Sequence, residues 1–499
     1  MNLSELAKEI EAIQATGTLE TVARDVTHDS RQAGPGTVFV AVPGAKVDGY
    51  RFIGQAFERG AAGVISELPS PSLSADDAAG RGWIQVKDAR AALPRAAAAV
   101  HGHPSRRLRL VGVTGTNGKT TTAHLIDSVI RTAERTSAML GTITYRIGSE
   151  SAAAHNTTPE ASDIQRMLAR AVAAGCRSAV IEVSSHAIEL RRADALSFEA
   201  AIFTNLTRDH LDFHNTMEDY FAVKKRLFDG SLDTNLKASV INADDEYGRE
   251  LVRCAKGEVT TYGLGSAAVA TDGFQLDTGG LSFTARTPVG LIDIRSRLVG
   301  RPHVYNILAA VAASLALGFD LRTIAQGIAE CENVPGRFER VSINGSQPGA
   351  FTVIVDYAHT DDALKKVLET AREVAGEGGR VIVVFGCGGD RDRTKRAPMG
   401  EIAAMGSDEV IVTSDNPRSE DPETIISDIE AGLIKSQRPY LKLTDRREAI
   451  FRAIGDAREG DVVLIAGKGH ETYQIIGNTT AHFDDREVAR EAMAATASQ

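Results

Sequence analysis

Cysteine is scarce. The four in 499 residues, Cys176, Cys254, Cys331 and Cys387, lie far apart and form no C-x-x-C pair. Such spacing excludes a disulfide framework and a zinc knot. Aromatic residues make up only 5% of the chain, so its cores must be built mainly from Ala, Val, Leu and Ile. A basic excess is missing too. Lys and Arg number 56 against 66 Asp and Glu, a formal charge of −10, whereas a general nucleic-acid binder needs massed cations to neutralise phosphates. A local basic pocket remains compatible with that balance. No run reaches the ~18 uninterrupted apolar residues of a bilayer crossing. Residues 1–17 space Glu5, Lys8, Glu9 and Glu11 among apolar positions, which predicts an amphipathic helix rather than a signal peptide. A soluble, cytoplasmic protein with neither nucleic-acid nor membrane partners is expected.

The chain does have an ordinary globular mixture, 43% apolar and 24% charged, and a length that predicts roughly three domains at ~150 residues each. Short β-branched runs alternate with helical stretches, the pattern of parallel α/β sheets. They fall at 108–113, 179–183, 201–204 and 239–242, and again at 352–356, 380–385, 409–413 and 461–466. The later four end in small or polar residues, and open α/β sheets bind ligands beyond the carboxyl ends of their strands. Polar, Pro-containing junctions at 101–107 and 334–337 predict three modules, 1–107, 108–336 and 337–499. The Gly- and Thr-rich segment 263–299 alternates like an antiparallel appendage on the central sheet.

The strongest local signal is a buried strand running into Gly115-Thr116-Asn117-Gly118-Lys119-Thr120-Thr121. Backbone N–H groups of such a turn converge on phosphate oxygens at a helix N-terminus. Lys119 would neutralise charge between the terminal phosphates, and the Thr120 hydroxyl would ligate Mg²⁺. The strict P-loop pattern places glycine where this chain has Val113; here the glycines fall at 112, 115 and 118. The loop implies ATP or GTP without saying what is done with it.

Further motifs narrow the choice. Glu182-Val-Ser-Ser-His-Ala187, Thr204-Asn-Leu-Thr-Arg-Asp-His-Leu-Asp-Phe-His214, Tyr305-Asn306, Val334-Pro-Gly-Arg-Phe-Glu339 and Asp356-Tyr-Ala-His-Thr360 follow in order, after an early Asp29-Ser-Arg31 and Phe39-Val-Ala-Val-Pro-Gly44. Together with the phosphate loop they resemble the Mur ligase family, and the early ones its MurE branch. The resemblance implies three α/β domains: a small uridine-binding domain, a central P-loop domain with a parallel sheet, and a Rossmann-like C-terminal domain. It implies an enzyme that phosphorylates a carboxylate with ATP and lets an amine displace the phosphate. The activity expected is addition of meso-2,6-diaminopimelate to UDP-N-acetylmuramoyl-L-alanyl-D-glutamate by a monomer. A lysine-adding or other Mur ligase, a folylpolyglutamate-type ligase, and a P-loop motor or switch are the alternatives.

Residue roles follow from the same resemblance. Glu182 and His210 become a metal pair for Mg²⁺ beside Thr120. Lys224 becomes a carbamylated lysine whose new carboxylate also holds Mg²⁺. On a helix over 218–228 its neighbours would be Tyr220, Phe221, Leu227 and Phe228, so desolvation favours the neutral amine that adds CO₂; spacing alone would equally allow a lysine snorkelling past an apolar stripe. Asn306 falls beside adenine, and Arg337, Asp356 and His359 around the phosphates and ribose. Arg301-Pro-His303 departs from the usual form near Asn306, as does Asp361 after the His-Thr pair. Ser30, Arg31, Asn156, Thr157, Thr158, Ser184 and Arg192 become contacts to the UDP-sugar-peptide. Asp415-Asn416-Pro417-Arg418 resembles the diaminopimelate-selecting type. A guanidinium can grip the second carboxylate of diaminopimelate bidentately, and would repel the ammonium that lysine puts there. Arg391 offers a second cation, and Gly467 and Glu471 would take the distal ammonium.

Overall fold

The computed structural model describes residues 1–44, 47–70, 81–277, 280–342 and 351–497. Two compact units emerge: Met1–Leu206 with His210–Ala270 and Leu308–Gly327, and Thr207–Asp209 with Thr271–Ile307 and Ile328–Gln499.

The first unit holds two sheets. The N-terminal one is ordered Gln14–Gly17, Gly82–Gln85, Gly63–Ser66, Thr37–Val40, Asp25–Thr27, and is parallel except for its first pair. The opening helix covers only Leu3–Glu9, closed at its start by a capping box between Asn2 and Glu5, so the helix expected over 1–17 is too long. The apolar stripe ends at Ile10, Glu11 turns to a φ of 53°, and Ile13 lies 63% exposed. Beyond it, the sheet edge rather than another helical turn satisfies the backbone of Gln14–Gly17.

The second sheet of this unit runs Glu258–Leu264, Asn235–Asn242, Ser197–Phe203, Arg109–Thr114, Ser178–Glu182, Ala138–Leu140, and then the antiparallel pair Thr144–Ile147 and Glu150–Ala153. Its first six strands are parallel. Because Glu182 pairs with Val113 and Phe203 with Thr114, three strands deliver their carboxyl ends to one edge. The expected helix over 218–228 is observed as Met217–Lys225. After Lys225 the backbone tightens, with Leu227 N–H reaching Lys224 O, which buries Leu227 and Phe228.

In the second unit a sheet is ordered Glu339–Val341, Thr352–Asp356, Val462–Ala466, Val381–Phe385, Glu409–Val412, Leu441–Lys442, parallel but for its first pair. Period-two alternation divides its side chains between two cores. Ile354, Val383 and Leu464 pack under Asp361–Ala375 and Arg396–Gly406, while Val355, Val384 and Ile465 pack under Arg446–Gly455 and Asp485–Ala497. Helices on both faces make this a doubly wound, Rossmann-like sheet. The segment 263–299 is antiparallel as expected: Gly280–Thr287 pairs with Gln275–Asp277 and Gly290–Ser296. Among the described residues, no helix is long and apolar enough to cross a membrane.

Candidate active site

In the first unit the phosphate loop joins the strand Arg109–Thr114 to the helix Lys119–Glu134. Gly115 has a φ of 142°, and a Cβ there would sit 1.9 Å from Thr204 Oγ1, so only glycine fits. The strand end behind braces the loop. Thr116 N–H donates to Asn205 O (2.8 Å), Asn117 N–H to Asn205 Oδ1 (3.0 Å), and Thr204 Oγ1 to Asn117 O (2.6 Å). The Lys119 ammonium folds back onto the carbonyls of Gly115 and Thr116, at 3.0 and 2.9 Å.

Glu182 is buried at its strand end. One carboxylate oxygen accepts from the hydroxyls of Thr120 and Thr142, both at 2.9 Å, and the other accepts from Thr142 N–H at 2.8 Å. Thr142 Oγ1 also lies 3.2 Å from Thr157 Oγ1. One hydroxyl thus links the helix start, Glu182 and the Asn156–Thr158 loop. Thr158 Oγ1 donates to Glu182 O (2.8 Å) and accepts from Ser184 N–H (3.0 Å), while Arg192 donates to Thr158 O (3.1 Å) and pairs with Glu160 (2.7 Å). Asn156 N–H donates to Tyr145 Oη at 3.0 Å.

Lys224 is 1% exposed, donates to Gly115 O at 3.0 Å and lies 4.7 Å over the Tyr220 ring. Tyr220 Oη in turn lies 3.2 Å from Thr116 Oγ1. His210 is exposed, takes a φ of 54° and places its ring 5.0 Å from that of His186 and 6.2 Å from that of Tyr220. No three His, Cys, Asp or Glu side chains converge on a metal position among the described residues. The oxygen pair Thr120–Glu182 nevertheless fits a hard divalent cation such as Mg²⁺. Elsewhere in this unit, Ser30 Oγ donates to Gln55 Oε1 (2.6 Å), and Arg31 pairs with Asp29 (2.8 Å) with its side chain 80% exposed.

In the second unit Asp356 ends its strand and accepts from Phe338 N–H (2.7 Å) and Ala358 N–H (2.8 Å). Burial raises its carboxyl to about 6, although Arg337 and those two donors favour the charged form. The Arg337 guanidinium lies 4.8 Å over the Tyr357 ring, and its buried Nε has no hydrogen-bond partner among the described residues. His359 is exposed, with Nδ1 2.9 Å from Tyr357 O. Asn306 is buried with its amide nitrogen 3.3 Å from His303 Nδ1. Complete burial lowers His303 to about 4, so the neutral ring accepts the amide proton.

The strand ends Val412 and Ala466 lead into Asp415–Arg418 and Gly467–Glu471. Asn416 is the hub here. Its nitrogen donates to Glu471 (2.8 Å), and its oxygen accepts from Ile475 N–H (2.9 Å) and Lys468 Nζ (3.3 Å). Arg418, at a φ of 52°, donates to Gly389 O at 2.8 Å. A Cβ on Gly388 would meet Arg418 Nη1 at 2.9 Å and Arg391 Cγ at 3.8 Å, so both arginines flank one spot. Burial raises the Glu471 carboxyl, opposed by Lys468.

Three family descriptions match the sequence: "Mur ligase family, catalytic domain" over 23–101, "Mur ligase middle domain" over 113–314 and "Mur ligase, glutamate ligase domain" over 336–469. Two relatives, from Solibacter usitatus and Geobacter metallireducens, are each 47% identical to it. The first match covers 99% of this chain and 98% of that protein, the second 98% and 97%. The chain belongs to the Mur ligase family. Both relatives carry the name UDP-N-acetylmuramoyl-L-alanyl-D-glutamate–2,6-diaminopimelate ligase. A solved structure of that name is 32% identical with a TM-score of 0.70, covering 99% of both chains. The Thermotoga maritima MurF ligase in complex with ADP, 18% identical with a TM-score of 0.61 over 95% of this chain, shares the fold.

Several residues of this Mur ligase escaped the sequence reading. Thr142 follows a short strand with no motif around it, and Tyr220 reads as an ordinary apolar helix position. Lys468 did leave a signal, a lysine between two glycines after a buried strand. It is completely buried, contacting Asn416, Tyr473 O and Glu471.

Proposed function

We propose that this Mur ligase is cytoplasmic and monomeric. It joins meso-2,6-diaminopimelate to the D-Glu γ-carboxylate of UDP-N-acetylmuramoyl-L-alanyl-D-glutamate, a precursor of peptidoglycan. ATP phosphorylates that carboxylate, the amine attacks the acyl phosphate through a tetrahedral intermediate, and ADP and phosphate leave. A carboxylate is a poor electrophile at neutral pH, so the phosphoryl group supplies the leaving group. The three modules 1–107, 108–336 and 337–499 take the uridine end, ATP and the amino acid in turn.

Lys119 and the backbone amides of 115–121 cradle the phosphates. Thr120 and Glu182, with His210 and the carbamate of Lys224, would hold Mg²⁺, which when bound neutralises charge on the transferring group. Lys224 is suited to CO₂ addition because its amine is buried, and desolvation favours the neutral form. Asn306 faces adenine, and Arg337, Asp356 and His359 meet ribose and phosphates. Arg337 has a donor to spare for them. Ser30 and Arg31 bind uridine, while Asn156, Thr157, Thr158, Ser184 and Arg192 position the acceptor peptide, coupled to Glu182 through Thr142.

The observation that carries the substrate choice is the turn Asp415–Pro417–Arg418 beside Arg391. The Arg418 guanidinium and the stem of Arg391 border the backbone at Gly388, and the Asn416–Glu471 pair supplies a carboxylate, with Gly467 next to Asp415. An amino acid with a carboxylate and an ammonium at its far end satisfies both. The nearly full-length, 47% identical relatives named for diaminopimelate support the same choice. Purified protein should release ADP only when ATP, the UDP-dipeptide and diaminopimelate are supplied together. Equal turnover with lysine would contradict the proposal.

A further inference from the structure

The parallel strands of the first unit carry the phosphate loop at their carboxyl ends. At their amino ends, where Arg109, Ser178, Ser197 and Asn235 open four neighbouring strands, lies a cleft of about 580 Å³. Arg109 and Thr114 bound one strand, so a full strand length, about 17 Å, separates this cleft from the phosphate loop. The lining holds Arg106, Arg107, Arg109, Arg177 and Lys237 against a single carboxylate, Glu199. In a chain of net charge −10, such a cluster stands out.

Two of the five cations are already committed. Lys237 pairs with Glu199 at 2.8 Å. Arg109 donates to Ser178 Oγ (3.2 Å), Leu317 O (2.6 Å) and Glu134. The side chains of Arg106, Arg107 and Arg177 form no hydrogen bond or ion pair among the described residues. After burial, the charge of Arg177 is the next cause depressing the Arg109 pKa, opposed by Glu199, and Arg106, Arg107 and Arg177 are exposed to solvent at the cleft. A concave wall concentrates such a field, and guanidinium forks match phosphate oxygens. The volume suits a small molecule, and apolar lining is limited to Leu108 and Cys176.

We infer that this cleft binds a small polyphosphate, free or nucleotide-borne, at a site separate from the phosphate loop. Several closely spaced negative charges are needed to bridge three uncommitted guanidinium groups. A monocarboxylate would leave two of them repelling each other, and a long nucleic acid would meet the acidic remainder of the surface.

Calorimetric titration with inorganic pyrophosphate, and separately with ADP, tests the inference in a Lys119→Ala background, where phosphate-loop binding is crippled. Binding should persist there, weaken with added salt, and fall at least tenfold when Arg106→Ser, Arg107→Ser and Arg177→Ser are added. A charge-matched control, Arg253→Ser, Arg295→Ser and Arg322→Ser, should leave it unchanged, and equal melting temperatures would show that both triple variants are folded. Tighter binding of ADP than of pyrophosphate would mark a nucleotide-borne source, and equal binding a free one; either supports the site. No binding at millimolar concentration, or equal weakening by both triple variants, would overturn it.

Discussion

Arg418 shows how much a single residue carries. Its backbone sits in the left-handed region, and its guanidinium is anchored to Gly389 O. Lost charge-assisted hydrogen bonds cost about 1.5–3 kcal/mol, so Arg418→Ala should lower kcat/KM for diaminopimelate by roughly 10- to 150-fold while leaving ADP affinity unchanged. Parallel steady-state kinetics and ADP titration check this. The arginine was legible because Asp415–Arg418, directly after a buried strand, resembles the diaminopimelate-selecting tetrapeptide of the family. The contact between Asn416 in the same tetrapeptide and Lys468 was not, since these two meet only when two separate strand ends come together. His303 offers a pH test. Its folded pKa, about 4, lies below the ordinary 6.5 because burial disfavours the cation. The unfolded chain therefore binds its proton first, and the stability that the neutral ring contributes above pH 6.5 is lost as pH falls towards 4. Denaturant unfolding should show wild type losing roughly 3 kcal/mol more than His303→Gln over that interval. Parallel curves for the two proteins would contradict the assignment.

Elements were easier to read than contacts. The runs expected at 179–183 and 461–466 are found as Ser178–Glu182 and Val462–Ala466, since fully buried parallel strands are continuously apolar and end abruptly at glycine or polar residues. The first helix is shorter than its charge spacing suggests, because spacing alone cannot show where a sheet edge takes over the backbone. The phosphate loop joins both levels. Its Gly-rich sequence announced the turn, but only the fold shows Thr204 and Asn205 closing it from behind. Gly115→Ala would force a Cβ onto Thr204 Oγ1 at a φ of 142°. The variant should fold, as the neighbouring strands keep their pairing, yet lose ATP binding at least tenfold. Circular dichroism with nucleotide titration checks both halves, and wild-type affinity would show that the loop tolerates the bulge.

For the whole molecule, charge, family and site chemistry agree on small anionic substrates rather than a polymer. In a chain of net charge −10, the proposed function assigns recognition to local cations: Lys119 at the loop, Arg337 over Tyr357, and Arg418 with Arg391 near Gly388. Each needs a different part of the same reaction. The common requirement is that an acceptor carboxylate oxygen becomes the bridge to the transferred phosphoryl group. Turnover of UDP-dipeptide labelled with ¹⁸O in the D-Glu γ-carboxylate, followed by mass analysis of the released phosphate, reads this step directly. One labelled oxygen should pass to each phosphate released. Phosphate with no label beside a normal yield of tripeptide would contradict activation through an acyl phosphate.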